Sequence, residues 1–427
     1  MSRNANAVIK DLEDHQLDHI LKNVYIDGNM VNVQRERYIK AVKEFIKLFG
    51  NKEIEIYSAP GRSEIGGNHT DHQYGKVLAA SVNIDAIAVV TPTTDGMIHI
   101  KSEGYKRLDI DLTNLSVNPL ESGSTTSLIR GVAAGMKERG YEIGGFEAYV
   151  TSQVISGSGL SSSAAYEVLI GTVFSGIYNN GKVDSITIAQ IGQEAENNYF
   201  GKPSGLMDQM ACSVGGLIYI DFENPEKPFV EKIDVDFDSF DHSLCIIDTK
   251  GSHADLTDDY AEIPAEMKKV ASFFGVDVLR QIKEEDFYKE ISLIRKYAGD
   301  RAVLRTIHWF DENGRVESEC KALREGDFSR FKELIWDSGQ SSYKYLQNVY
   351  SAHKPEDQSL AVALMMTRKI LGNDGVWRVH GGGFAGTIQA FVPNSIVENY
   401  KERIEQLFGR GSCYTLKVRP DGGRKIV

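Results

Sequence analysis

The chain has 427 residues, 41% hydrophobic and 25% charged, so it can bury a sizeable core and is predicted to form two domains. Its 48 basic and 60 acidic residues give a net charge of -12, which favours no polyanionic partner such as nucleic acid. No apolar stretch reaches the roughly 18 residues of a membrane span, the first residues are polar, and the four cysteines are dispersed, so we expect a cytoplasmic protein with free thiols.

The first half opens with a helical segment, residues 1–49, and a strand at residues 53–58 that delivers a loop. The later elements of this half follow from residue spacing: strands at 86–91, 97–101, 108–112, 146–154 and 216–222, and helices at 124–139, 162–178 and 185–199. Turn residues at 224–228 predict a boundary between domains 1–223 and 224–427.

The second half is predicted to be richer in helix. Its predicted elements are helices at 260–274, 301–322, 328–341, 359–371 and 394–408, and strands at 244–250, 376–379, 387–392 and 413–418.

Residues 157–165, G-S-G-L-S-S-S-A-A, form a glycine- and hydroxyl-rich turn that leads into a predicted helix. Glycines allow the backbone to approach an anion, and the first N–H groups of a helix lack internal partners. The turn therefore predicts a phosphate site. The alternative is a small-residue loop before a capped helix.

Polar residues are dense after the first strand, in Ala59-Pro60-Gly61-Arg62 and residues 66–72. His69, Asp71 and His72 could bind a metal, although neighbours in one loop rarely supply three ligands to one ion. A solvated turn and a site for ligand hydroxyl groups are the other interpretations.

The segment at residues 201–209, G-K-P-S-G-L-M-D-Q, places Asp208 beside two apolar residues after a glycine turn. Such an acid can accept a proton in a pocket, or it can simply cap a helix. Upstream, Glu194 and Glu196 are offset on their helix, so at most one of them is expected to face the same site.

Residues 381–386, G-G-G-F-A-G, fit the pattern G-x-G-x-x-G, but a strand rather than a helix follows them. A dinucleotide site is therefore not predicted. A glycine link that passes close to a ligand or to another backbone segment fits better.

Taken in this order, the segments resemble the three motifs of the GHMP kinase superfamily and, within it, those of the galactokinase family. The first motif is matched by A-P-G-R at 59–62 and by G-N-H-T-D at 67–71, where Asn68 replaces the family's glutamate. The remaining matches are residues 157–164, 195–209, 381–386 and Tyr260. The resemblance covers about residues 57–392. It implies a two-domain α+β fold whose N-terminal half is like domain 2 of ribosomal protein S5.

The resemblance also implies a role for each matched residue. Asp208 would be the catalytic acid-base group with Arg62 as its cationic partner, and Ser163 and Glu196 would help to hold Mg²⁺. The sugar would be bound by Asn68, His69, Asp71, Gly205 and Tyr260. The ATP phosphates would be wrapped by Gly157, Ser158, Gly159, Leu160, Ser161, Ser162 and Ser163.

The activity so implied is ATP-dependent phosphorylation of the anomeric hydroxyl of galactose. Asn68 makes the identity of the sugar less certain than the kinase activity, because an amide offers the sugar a weaker acceptor than a carboxylate. Two alternatives stay open: a kinase of the same superfamily that acts on another sugar or a small alcohol, and a non-catalytic sensor of galactose and ATP.

Overall fold

The structure is a computed structural model that describes residues 3–154, 159–235, 237–251 and 256–427. The α-helices in these ranges are α1 (Ala5–Glu13), α2 (Asp18–Tyr25), α3 (Met30–Phe49), α4 (Thr125–Glu138), α5 (Ser162–Asn179), α6 (Ser185–Glu194), α7 (Met207–Val214), α8 (Thr257–Phe273), α9 (Glu284–Ala298), α10 (Asp300–Arg324), α11 (Phe328–Ser341), α12 (Ser359–Leu371) and α13 (Val397–Phe408). None of the helices in these ranges is both long and apolar enough to cross a membrane.

The strands in the same ranges are β1 (Arg3–Asn4), β2 (Glu53–Gly66), β3 (Lys76–Pro92), β4 (Met97–Ser102), β5 (Arg107–Asp111), β6 (Phe146–Ser152), β7 (Leu217–Asp221), β8 (Phe229–Ile233), β9 (His242–Asp248), β10 (Val376–His380), β11 (Thr387–Pro393), β12 (Cys413–Leu416) and β13 (Arg424–Lys425). The predicted α+β class is confirmed, and most predicted elements lie within a few residues of these bounds. Helices α7 and α9 and strands β1, β8 and β13 were not predicted.

A long antiparallel hairpin of β2 and β3 is the centre of the first sheet. The sheet continues from β3 through β6 and β4 to β5, and only the pair β4 and β6 is parallel. Strand β7 pairs with residues 76–80 at the start of β3, and β8 extends the sheet beyond β7. The second sheet is antiparallel, in the order β10, β11, β9, β12.

The two sheets share one continuous hydrophobic core. Its buried members include Ala80 and Val168 from the first half, and Leu244, Phe331 and Phe391 from the second. Strands β8 and β13, although they follow the predicted boundary at residue 224, pair with the first sheet. The division into domains 1–223 and 224–427 stays a prediction.

The N-terminal helices, to which the sequence assigned no role, pack on the outer face of β2, β3 and β6. A buried carboxylate fastens them: Asp85 of β3 accepts from the Tyr25 hydroxyl at 2.8 Å and from Arg37 Nη1 at 2.6 Å. Arg419, near the other end of the chain, also contacts Asp85, at 3.2 Å. These charge-assisted bonds hold both ends of the chain against the hairpin.

Candidate active site

Strand β2 carries Arg62 into the centre of the molecule. The prediction that the strand ends at Ser58 is wrong, because two irregularities in its pairing with β3 allow it to continue to Gly66. The Arg62 N–H donates to the Leu160 carbonyl at 3.1 Å. A Cβ on Gly61 would lie 2.8 Å from that same oxygen, so a glycine permits the approach.

Arg62 and Asp208 form a bidentate ion pair, with Nε to Oδ1 at 2.7 Å and Nη2 to Oδ2 at 2.9 Å. Burial by itself disfavours the charged carboxylate, but Arg62 outweighs burial and holds the pKa of Asp208 below its ordinary value. Asp208 also lies in the first turn of α7, where a helix favours negative charge. The side chains are 7% and 26% exposed, so the carboxylate is the more accessible partner.

The glycine- and hydroxyl-rich turn lies directly against this ion pair. Gly159 has φ +69° and accepts from Arg62 Nη1 at 2.5 Å, and Leu160 is fully buried. Ser161 also has a positive φ, of 57°, and its hydroxyl donates to Asp208 Oδ2 instead of capping α5. Gly157 and Ser158 lie outside the described residues, so the predicted phosphate site is described from Gly159 onward.

Ser163, in the first turn of α5, donates to Glu196 Oε1 at 3.0 Å. The Glu196 side chain is buried and also lies 3.0 Å from Lys202 Nζ. Glu194 points elsewhere and pairs with Arg139, so only one of the two glutamates faces this site, as predicted. A hydroxyl and a carboxylate converge here beside the turn.

Two further residues in this cluster were not identified from the sequence. Gln209 Nε2 donates to Glu196 Oε2 at 3.0 Å and to Glu167 Oε2 at 2.9 Å. Burial and then the neighbouring Glu196 raise the pKa of Glu167 well above its ordinary value. Glu167 lies four residues after Ser163 on α5, a helical spacing that could have indicated it.

The β2–β3 loop (residues 67–75) contains the second candidate carboxylate, Asp71. Burial, followed by the charges of Asp208 and Glu64, raises the pKa of Asp71 to about 6. Asp71 and Asp208 are therefore close enough for the charge of one to act on the other. A Cβ on Gly205 would lie 1.7 Å from Asp71 Oδ2, so glycine is required there, and the His72 N–H donates to Asp71 Oδ1 at 2.9 Å.

The glycine loop (residues 381–386) faces the β2–β3 loop. His69 Nε2 lies 3.0 Å from the Gly382 carbonyl, and the Tyr260 hydroxyl donates to the Gly383 carbonyl at 3.0 Å. Burial lowers the pKa of His69 to about 4, so the ring is neutral with its proton on Nε2. A Cβ on Gly383 would lie 2.1 Å from the Asn348 carbonyl, which confirms the predicted close backbone approach.

Asn68 lies in the same loop, and its amide makes four hydrogen bonds to other protein groups. Its Nδ2 donates to Glu64 Oε1 at 3.0 Å and to the Gly381 carbonyl at 2.7 Å. Its Oδ1 accepts from Asn348 at 2.9 Å and from Ser342 at 3.3 Å. The side chain is fully buried. That Asn68 binds a sugar stays a prediction.

The metal interpretation of the β2–β3 loop gains no support. Within the described ranges, no group of three or more histidine, cysteine, aspartate or glutamate residues is arranged to hold a metal ion. Burial lowers the pKa of His72 to about 3, and the ring stacks edge-on to His69. All four cysteines lie in the described ranges and are buried and free, as predicted.

Comparison with known proteins defines the class. Residues 127–216 match the GHMP kinases N terminal domain, and residues 43–92 match the galactokinase galactose-binding signature. The first match contains the serine-rich turn and Asp208, and the second contains Arg62 and Asp71. In these two segments the chain resembles the GHMP kinase superfamily.

Within that superfamily it resembles the galactokinases. It is 29% identical to the galactokinase of Streptomyces coelicolor over 394 residues, which is 90% of this chain and 97% of the relative. Galactokinase of Lactococcus lactis subsp. lactis is also 29% identical, over 88% of this chain and 93% of its own length. The crystal structure of Lactococcus lactis galactokinase complexed with galactose superposes with a TM-score of 0.76 at 26% identity and covers 90% of this chain and 98% of that one.

Proposed function

We propose that this protein is an ATP-dependent sugar kinase that transfers the γ-phosphoryl group of ATP to the anomeric hydroxyl of galactose. The observation that carries the proposal is the bidentate pair of Arg62 and Asp208. The pair contacts the serine-rich turn, which suits phosphate, and Arg62 lies with Asp71 in the segment that matches the galactose-binding signature, residues 43–92.

Asp208 is the group that accepts the proton of the attacking hydroxyl. Its low pKa keeps it ionised at neutral pH, and its partial exposure leaves it accessible to a substrate. Arg62 stabilises the negative charge that develops on the attacking oxygen and the transferring phosphoryl group. In phosphoryl transfer the protein contributes mainly such positioning and charge stabilisation.

ATP is the co-substrate that the kinase family implies. We propose that its phosphates lie on Gly157, Ser158, Gly159, Leu160, Ser161, Ser162 and Ser163. The start of α5 at Ser162 supports this placement, because the free N–H groups of a helix N-terminus bind phosphate.

Ser163 and Glu196 fit a magnesium ion, since Mg²⁺ prefers oxygen ligands and commonly takes one or two protein groups together with phosphate oxygens and water. When bound, the ion would neutralise charge on the phosphates. Gln209 and Lys202 keep the Glu196 carboxylate turned toward Ser163.

For the sugar, we propose that Asp71 accepts hydrogen bonds from hydroxyl groups. Gly205 supports this role, because its missing side chain leaves room for the carboxylate. His69 and Tyr260 line the same region through the glycine loop. The four free thiols support activity in a reducing compartment such as the cytoplasm.

The test is ADP release by the purified protein with ATP, magnesium and a panel of monosaccharides, with Asp208→Asn as the control. We expect rapid turnover of galactose that the control lacks. Turnover of another hexose or an amino sugar, with none for galactose, would contradict the substrate. Sugar binding without any turnover would instead indicate a sensor.

A further inference from the structure

We propose that Asn68 is a positioning residue that holds the β2–β3 loop against the glycine loop, rather than a ligand of the sugar. This inference rests on the proposed function, because it concerns how the sugar-binding side of the site is built. It is carried by geometry: a buried amide with every hydrogen-bonding position taken by a protein group.

An asparagine amide offers two N–H donors and one oxygen with two lone pairs. In Asn68 both donors are used, on Glu64 Oε1 and the Gly381 carbonyl. Both lone pairs are used as well, by Asn348 and Ser342. A hydroxyl group of a sugar could therefore reach this amide only by displacing one of these partners.

The backbone of Asn68 is held just as closely from helix α10. Its carbonyl lies 2.9 Å from His308 Nε2, and its N–H donates to Glu312 Oε1 at 3.3 Å. His308 and Glu312 are fully buried. The residue is thus fixed in both its main chain and its side chain.

Asn68 begins a series of bonds that spans the two loops. It donates to the carbonyl of Gly381, while His69 lies on the carbonyl of Gly382 and Tyr260 donates to that of Gly383. Three consecutive carbonyls of the glycine loop are therefore each held by a residue that the family resemblance assigns to the sugar site. Asn68 is the fully buried member of the three.

Glu64 explains why an amide suits this position. Its Oε1 accepts from Arg378 at 2.5 Å and from Asn68 at 3.0 Å, and its side chain is 3% exposed. A carboxylate at residue 68, as the galactokinase family has, would lie beside the Glu64 carboxylate in a buried place, and like charges there are costly. In this chain the acid stands at residue 64 and the amide at residue 68.

The experiment is a double-mutant cycle of Asn68→Asp and Glu64→Gln, with Asn373→Asp at an exposed position as the control for the added charge. Calorimetry measures the dissociation constants of galactose and of ATP, and thermal unfolding measures stability without any ligand. N68D matches asparagine in size but turns two donors into acceptors. The double variant again places one amide opposite one carboxylate.

We expect N68D to weaken galactose binding at least tenfold and to leave ATP binding within about twofold of wild type. When Glu64 is already glutamine, the Asn68→Asp substitution should weaken galactose binding at least threefold less than it does in wild type. Its effect on the unfolding equilibrium constant should be smaller by a similar factor. The proposal would be overturned if N68D bound galactose as tightly as wild type. It would also be overturned if the double variant weakened binding by the product of the two single effects, because residues 64 and 68 would then act independently.

Two further arms keep the test decisive. If N68D does not fold, Asn348→Ala, which removes one donor to Asn68 Oδ1, should weaken galactose binding at least threefold, and unchanged affinity would overturn the proposal.

A wild-type protein that binds no monosaccharide contradicts the proposed function. The unfolding measurements then decide the role of Asn68 alone: coupling between residues 64 and 68 supports it, and independent effects overturn it.

Discussion

Asp208 and Asp71 are two carboxylates of one site with opposite electrostatic surroundings. Burial alone would raise the pKa of both carboxylates. Asp208 has Arg62 as a bidentate partner, and its pKa ends below the ordinary value. Asp71 has the charges of Asp208 and Glu64 nearby and a pKa of about 6. A single arginine therefore separates a carboxylate that is ionised across the physiological range from one that titrates at its lower edge.

The difference extends to stability. A carboxylate with a lowered pKa stabilises the folded protein above its unfolded pKa, and this contribution is lost as the pH falls. A carboxylate with a raised pKa does the reverse, because the folded protein loses stability as the pH rises from the unfolded pKa toward about 6. Asp208 thus supports the fold at neutral pH, whereas Asp71 is retained at a cost that points to a functional role.

Replacing Asp208 by asparagine removes the ionised member of this pair of carboxylates and should have the largest effect. We expect turnover to fall at least about 1,000-fold, because the substrate hydroxyl loses its proton acceptor and Arg62 loses its buried partner. ATP affinity should stay nearly unchanged. Steady-state kinetics and calorimetry measure both quantities, with the exposed Asp277→Asn as the matched control. Near-normal turnover of D208N would assign the proton acceptor to another residue.

Asp71→Asn should have its main effect on the sugar. We expect galactose affinity to fall about 10- to 100-fold, since a charged acceptor is replaced by a neutral group. At pH 8 the variant should also be more stable than wild type, by up to about 3 kcal/mol, because the disfavoured charge is gone. Calorimetry and denaturant unfolding test the two expectations. A less stable variant with normal galactose affinity would contradict both.

Glu196→Gln tests the proposed magnesium site, which lies next to the serine-rich turn. We expect about tenfold more Mg²⁺ to be needed for half-maximal turnover, because the amide is a poorer ligand than the carboxylate. Titrating magnesium at saturating ATP and galactose measures the change. Glu194→Gln, two residues earlier in the chain and paired with Arg139, is the matched control and should behave as wild type. An equal magnesium requirement in all three proteins would rule out the site.

The pH profile sharpens the comparison. With the Asp71 pKa at about 6, its ionised fraction rises about tenfold between pH 5 and pH 7. The value of kcat/KM for galactose should rise by about the same factor over this range. In Asp71→Asn the rise should be absent. A profile that is flat in wild type, or unchanged in the variant, would separate Asp71 from sugar binding.

The sequence predicted those parts of the site that depend on neighbours along the chain. The serine-rich turn before α5, the prediction that at most one of Glu194 and Glu196 faces the site, and the close approach of the glycine loop all follow from local spacing. The spacing of apolar residues and the residue types of turns are properties of short segments, so a single sequence is enough to recognise them.

What the sequence did not predict depends on partners far away in the chain. Strand β2 continues to Gly66 because of its irregular pairing with β3. The contacts of Asn68 come from residues 64, 342, 348 and 381, of which only Glu64 is a near neighbour. Gln209 was missed for the same reason, because Glu167 and Glu196 reach it only in the folded molecule.

The most direct test of the central claim is to identify the product. Wild-type protein and D208N would each be incubated with ATP, magnesium and galactose, and the products examined by ³¹P and ¹³C NMR. We predict phosphate on the anomeric oxygen of galactose with wild type and no phosphorylated sugar with D208N. Phosphate on another hydroxyl, or the same product from D208N, would contradict the account.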